Sequence, residues 1–306
     1  MLAFVFPGQG AQYAGMGREL SENFAVAREV FEEANDALGF DLAKMCYVGP
    51  EEDLQLTTNT QPAILTMSVA ALRVVQQETG LNPDFVAGHS LGEYSALVAS
   101  GTITFADAVR LVRQRGAFMQ QAVPVGTGAM AAILGIDTEL IEQVCLEAAQ
   151  GDVVSPANYN SPGQVVIAGH SAAVDRAIFL AKDNGARKAM LLPVSAPFHC
   201  ALMLPAGQQL RVVLDEINLN ILSIPVVTNV EAIANSDFLR VKDLLISQVS
   251  APVCWDRSVR YMIDHGVEDF IEIGPGKVLS GLIKRIDRSI ATQNVGDVKS
   301  LIKLQK

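Results

Sequence analysis

Apolar residues recur along this chain in two rhythms. Short apolar runs at residues 2–6 and 85–87, and the mixed runs at 224–228 and 269–273, read as strands. Between them apolar positions return every three or four residues. That spacing predicts helices over 16–38, stopped by Gly39, over 61–79, opened by Gln61-Pro62 and stopped by Gly80, and over 105–122. After Pro124 the texture changes. A strand is expected over 126–136, a helix over 138–150, and strands over 153–158 and 164–168 around the turn Asn160-Ser161-Pro162-Gly163. A helix over 171–184 and a strand over 189–194 follow. The order β-α-β-β-α-β is that of a ferredoxin-like unit. The expected class is therefore α/β, with a small domain at 124–196 inserted into a large one formed by 1–123 and 197–306.

Composition narrows the class further. Half of the 306 residues are hydrophobic, enough for a large core. No apolar run approaches the roughly 18 residues that a membrane span needs. The start, Met1 to Pro7, has no basic leader and reads as a first strand, not a signal peptide. Cys46, Cys145, Cys200 and Cys254 lie far apart with no C-x-x-C pair. They read as reduced thiols of a cytoplasmic protein without a zinc site. A formal charge of −10 argues against nucleic acid as the partner.

The apolar run at 85–87 leads into Gly88-His89-Ser90-Leu91-Gly92, which fits G-x-S-x-G, and a helical segment follows. Such a turn forces its serine into a strained backbone conformation and presents the hydroxyl at a helix N-terminus, where free N–H groups can hold an oxyanion. Ser90 is then either a nucleophile or only the cap of the next helix. The loop Pro7-Gly8-Gln9-Gly10-Ala11-Gln12, after the first strand, places an amide and backbone N–H groups where ligands sit in open α/β sheets. Its glycine spacing does not match a dinucleotide fingerprint, and Gly274-Pro275-Gly276-Lys277 lacks the spacing and hydroxyl of a phosphate loop.

On the helix 105–122, Val109, Leu111, Val112, Phe118, Met119 and Ala122 form one apolar arc, and Arg115 falls in the middle of it. A guanidinium stranded unpaired in a core costs several kcal/mol, so Arg115 needs an anion. An internal Asp or Glu would serve, and so would a substrate carboxylate gripped by the planar fork. His199 sits in the proline-broken loop Ser195-Ala196-Pro197-Phe198-His199-Cys200, after the serine in chain order, and is the candidate base. No aspartate between Ser90 and His199 has a strand-end context, so a neutral carbonyl could orient the base instead. Lys277, Lys284 and Arg288 are expected on one helix face, a basic stripe open to solvent or to an acidic partner.

With these residues in hand the chain resembles the malonyl-CoA:acyl carrier protein transacylases of type II fatty acid synthesis. The likeness runs through Phe6-Pro7-Gly8-Gln9-Gly10-Ala11-Gln12, Gly88-His89-Ser90-Leu91-Gly92-Glu93-Tyr94, Gln114-Arg115-Gly116 and Asn158-Tyr159-Asn160-Ser161-Pro162. It continues in Val194-Ser195-Ala196-Pro197-Phe198-His199, Gln248-Val249-Ser250-Ala251-Pro252-Val253 and Glu272-Ile273-Gly274-Pro275-Gly276. The resemblance implies an α/β-hydrolase-like large domain with a parallel sheet, carrying the ferredoxin-like insertion. It implies Ser90 as nucleophile, His199 as base, and Gln248 orienting His199 through a carbonyl. Gln9 and Leu91 would give the oxyanion N–H groups, Arg115 would bind the malonyl carboxylate, and His89 and Asn158 would touch substrate. Malonyl-CoA and holo acyl carrier protein are the implied partners, with no metal or prosthetic group and a monomer as the expected state. A hydrolase using the same serine and an idle carrier-protein-binding module are the competing classes. Arg115 speaks against the first, and an intact Ser90, His199 and Arg115 against the second.

Overall fold

The computed structural model describes residues 1–194 and 196–305, so Ser195 of the expected histidine loop lies outside the described residues. The strands are β1 (Leu2–Phe6), β2 (Phe85–Gly88), β3 (Gly128–Leu134), β4 (Val154–Ser161), β5 (Gln164–His170), β6 (Lys188–Leu191), β7 (Val226–Val227), β8 (Ala234–Asn235), β9 (Asp269–Ile273) and β10 (Ala291–Val295). They form two sheets. One has the order β10-β9-β1-β2-β7-β8 and is parallel except for the last pair. The other has the order β4-β5-β3-β6 and is antiparallel.

The parallel sheet is buried on both faces, which is why its strands read as nearly continuous apolar runs. Along β1, Phe4 and Phe6 enter one core with Val86 and Ile273. Ala3 and Val5 enter another with Trp255, Val259 and Ile283. The helix Thr57–Thr79 crosses the first core and is buried around most of its circumference, so it has almost no polar face. The antiparallel sheet alternates cleanly. Ala131, Ile133, Val165 and Ile167 pack under the helices Thr138–Ala149 and Ser171–Asp183. Met130, Val166 and Ala168 face the other way, into the main core. Val253, outside both sheets, pairs with β4: its N–H donates to Ala157 O at 2.9 Å, and its carbonyl accepts from Tyr159 N at 2.9 Å.

Several elements differ from expectation. The helix expected over 16–38 is two, Arg18–Asn23 and Ala25–Leu38, because Phe24 turns extended between them. The helix expected from Gln61 begins at Thr57. Pro62 sits in its second turn, where its missing N–H removes a single ladder bond. The strand expected over 189–194 closes at Leu191, and that over 224–228 shrinks to two residues. The basic stripe is not a helix face. Its helix is Val278–Ile286, so Lys277 precedes it and Arg288 follows it, while the Lys284 ammonium donates to Ile290 O. The edge strand β10, Ala-Thr-Gln-Asn-Val, carries no apolar alternation and was not expected.

Candidate active site

The cleft between the sheets is built on the ends of the parallel strands. Gln9 follows β1, the serine turn follows β2, and Asn229 follows β7, the position at which open α/β sheets bind ligands. The turn after β2 packs backbone on backbone. A Cβ at Gly88 would lie 1.9 Å from Gly92 C, and one at Gly92 would lie 2.0 Å from Phe6 O. Only glycine fits either place. The compressed turn holds Ser90 at φ 51°, a left-handed conformation that non-glycine residues rarely adopt.

Ser90 Oγ lies 2.8 Å from His199 Nε2. His199 itself has φ 61°, and its Nδ1 lies 2.8 Å from Gln248 O. A carbonyl can only accept, so Nδ1 carries the proton and Nε2 is left free to take the serine's. The group facing Nδ1 is thus a backbone carbonyl and not a carboxylate. Arg115 is 1% exposed and reaches the same point. Its Nη2 donates to Ser90 Oγ at 3.0 Å and to Gln248 Oε1 at 2.9 Å, and its Nη1 donates to Gln61 Oε1 at 2.8 Å. The Tyr94 ring lies under the guanidinium, 5.2 Å from its carbon. All of these oxygens are neutral, and the buried Arg115 Nε has no hydrogen-bond partner among the described residues.

Gln9, His89, Leu91 and Asn158 line one cavity of about 120 Å³ with Ser90, Arg115 and His199. Met119, Met130 and Phe198 supply its apolar wall. An adjoining cavity of about 230 Å³ shares Gln9, His89, Asn158 and Leu192 with it and runs past Gly10 and Gln164 to Val278 and Leu282. The His89 ring is anchored away from the serine, with Nε2 2.8 Å from Asn160 Oδ1.

Burial, and after it the Arg115 charge, pushes His199 down to about 3 against the opposing bond to Gln248 O. Burial likewise lowers His89. Glu93 is pushed up to about 7 by burial, with its bonds to Asn229 and Gln248 and the Arg115 charge pulling the other way.

A family profile described as acyl transferase domain matches residues 3–306. The malonyl CoA-acyl carrier protein transacylase of Escherichia coli K12 is 55% identical over 284 residues, 93% of this chain and 92% of that protein. The chain belongs to the malonyl-CoA:acyl carrier protein transacylase family. The crystal structure of an acyl carrier protein S-malonyltransferase from Vibrio cholerae superposes with a TM-score of 0.97 at 53% identity, covering 99% of both chains. A malonyl-transacylase solved in complex with a type II polyketide synthase acyl-carrier protein superposes with a TM-score of 0.97 at 49% identity, covering 99% of this chain and 98% of its own.

The transacylase site also contains residues that the sequence reading passed over. Gln61 holds Arg115, and Asn160 holds His89. Asn229 Oδ1 accepts from Ser90 N–H at 2.7 Å, and Glu93 Oε2 accepts from Gln248 Nε2 at 2.9 Å. Glu93 carried a usable signal: an acid inside the apolar segment 91–99, the same anomaly that marked Arg115. Asn229 and Gln61 carried none, since isolated amides are common on helix ends and loops.

Proposed function

We propose that this protein moves the malonyl group from malonyl-CoA to the phosphopantetheine thiol of acyl carrier protein, the transfer that feeds type II fatty acid synthesis, through a malonyl ester on Ser90. One observation carries the reading. A single hydroxyl, Ser90 Oγ, meets both a buried imidazole at 2.8 Å and a buried guanidinium at 3.0 Å. The first suits a nucleophile, and the second suits a substrate that ends in a carboxylate.

In the first half-reaction His199 Nε2 takes the Ser90 proton as Oγ bonds to the thioester carbon. The carbonyl oxygen becomes an oxyanion, held by the N–H groups of Gln9 and Leu91, each worth about 3 kcal/mol in comparable sites. The carbon–sulfur bond then breaks, and coenzyme A leaves with the proton from His199. In the second half the carrier thiol gives its proton to His199 and attacks malonyl-Ser90. The Ser90 oxygen leaves and is reprotonated. Arg115 holds the malonyl carboxylate throughout, His89 and Asn158 flank the acyl group, and Gln248 O keeps His199 in the working tautomer. No metal or prosthetic group takes part. The adjoining cavity suits the pantetheine arm, being lined by amides and apolar side chains.

We read the parallel sheet and its helices as a hydrolase-like domain, 1–123 and 197–306, and the antiparallel unit as a ferredoxin-like domain, 124–196. The strand order β4-β5-β3-β6 with both helices on one face supports the second description. Among the described residues no helix is long and apolar enough to cross a membrane. With four unpaired buried cysteines, the cytoplasm is the fitting compartment.

Mass spectrometry of the intact protein after exposure to malonyl-CoA tests the reading. A malonyl adduct mapping to Ser90, absent in Ser90→Ala and discharged by holo acyl carrier protein, is expected. An adduct on another residue, or none in the wild type, overturns it.

A further inference from the structure

The active-site frame contains one acid that this mechanism does not use. Glu93 stands in the first turn of the helix Gly92–Ala99 and is 2% exposed. Its Oε2 accepts two hydrogen bonds, from Asn229 N–H at 2.9 Å and from Gln248 Nε2 at 2.9 Å. Both donors belong to residues that touch the reacting groups. Asn229 Oδ1 accepts the Ser90 N–H, and its Nδ2 donates to Gly88 O, so one side chain spans the strained turn. Gln248 accepts from Arg115 through Oε1, from His199 through its backbone carbonyl, and donates to Ser90 O at 2.9 Å.

A carboxamide has a donor end and an acceptor end of nearly equal shape, so its environment decides which way it faces. The oxygen of Glu93, together with Ser90 O, holds Nε2 and so commits the other end of Gln248, Oε1, to the guanidinium. Among the described residues three oxygens accept hydrogen bonds from Arg115, and Gln248 Oε1 is one of them. Loosening Gln248 therefore loosens the fork. We propose that Glu93 is a positioning residue for the malonyl site: its oxygen anchors Gln248 and Asn229, and through Gln248 it holds Arg115 in place for a substrate carboxylate. The proposal rests on the transacylase reading above, and it separates Glu93 from a residue that merely stabilises the core.

The test compares kcat/KM for malonyl-CoA with that for acetyl-CoA, which has no carboxylate to place, in wild type, Glu93→Gln and Glu93→Asp. Glu93→Gln keeps an oxygen of the same reach for both donors and loses the charge. Glu93→Asp keeps the charge and withdraws the oxygen by one methylene. The expected malonyl-to-acetyl ratio stays within about threefold of wild type in Glu93→Gln and falls about tenfold or more in Glu93→Asp, as for a lost buried hydrogen bond to a charged network. A ratio in Glu93→Asp equal to or above that in Glu93→Gln overturns the proposal. It would mean that charge, or core stability alone, is what Glu93 supplies. Mapping the malonyl adduct in the same wild-type sample keeps the two readings apart, since an adduct away from Ser90 removes the transfer mechanism itself.

Discussion

Arg115 Nη2 donates a 3.0 Å hydrogen bond to Ser90 Oγ. The cation expected to bind the far end of the substrate thus touches the nucleophile. The same charge helps to keep His199 unprotonated. A malonyl group on Ser90 would place its carboxylate only a few bonds from the ester oxygen, within reach of the same fork.

Replacing Arg115 should therefore separate substrates. Arg115→Ala is expected to cost malonyl-CoA about 2–5 kcal/mol in transition-state binding, the usual penalty for truncating one side of a buried charge contact. Acetyl-CoA should lose far less. Arg115→Lys should also be impaired, because an ammonium cannot reproduce the planar fork. The measurement is the ratio of kcat/KM values in variants shown by circular dichroism to be folded. An unchanged ratio would mean that Arg115 serves the fold and not the carboxylate.

His199→Ala should slow acylation by malonyl-CoA and discharge by the carrier thiol together, by about 100-fold or more each, since one imidazole serves both steps. Rapid-quench measurement of each half-reaction checks this. Loss in only one half would break the shared-base assignment.

The low pKa of His199 predicts an unusual pH profile. An imidazole with the ordinary value of 6.5 would lose roughly tenfold in neutral fraction between pH 7.5 and 5.5. With the folded value near 3, the neutral base persists across that range. Labelling of Ser90 by a neutral sulfonyl fluoride should slow less than about twofold over it. The linkage has a definite sign. The unfolded chain binds this proton below pH 6.5 and the folded chain does not, so the stabilising preference for neutral His199 is present above 6.5 and is lost as pH falls toward 3.

Gly92→Ala should destabilise the protein by about 3 kcal/mol or more, because its Cβ would meet the Phe6 carbonyl backbone at 2.0 Å. Gly281→Ala is the matched control. Nothing lies within 4 Å of its Cβ position on the helix Val278–Ile286, so a gain of about 0.5–1 kcal/mol is expected there. Thermal melts of the two variants decide the matter.

What the sequence determined by itself was local. The turn at Ser90 is legible because a strand, two glycines and a helix follow one another within 15 residues. Arg115 is legible because helical periodicity places it on an apolar arc. The small sheet is legible because its helices and strands alternate in a fixed order. The tertiary structure decided everything that depends on distant residues meeting. Gln248 reaches Glu93, Arg115, Ser90 and His199 from at least 49 positions away in the chain, and no local period encodes that. The polar strand β10 pairs at the sheet edge through its backbone, which hydropathy does not see. At Phe24 the backbone is extended and the side chain packs against the main core, and Thr57, Thr60 and Gln61 are buried where the long helix starts, contacts that a helical tendency worth only tenths of a kcal/mol per residue does not encode.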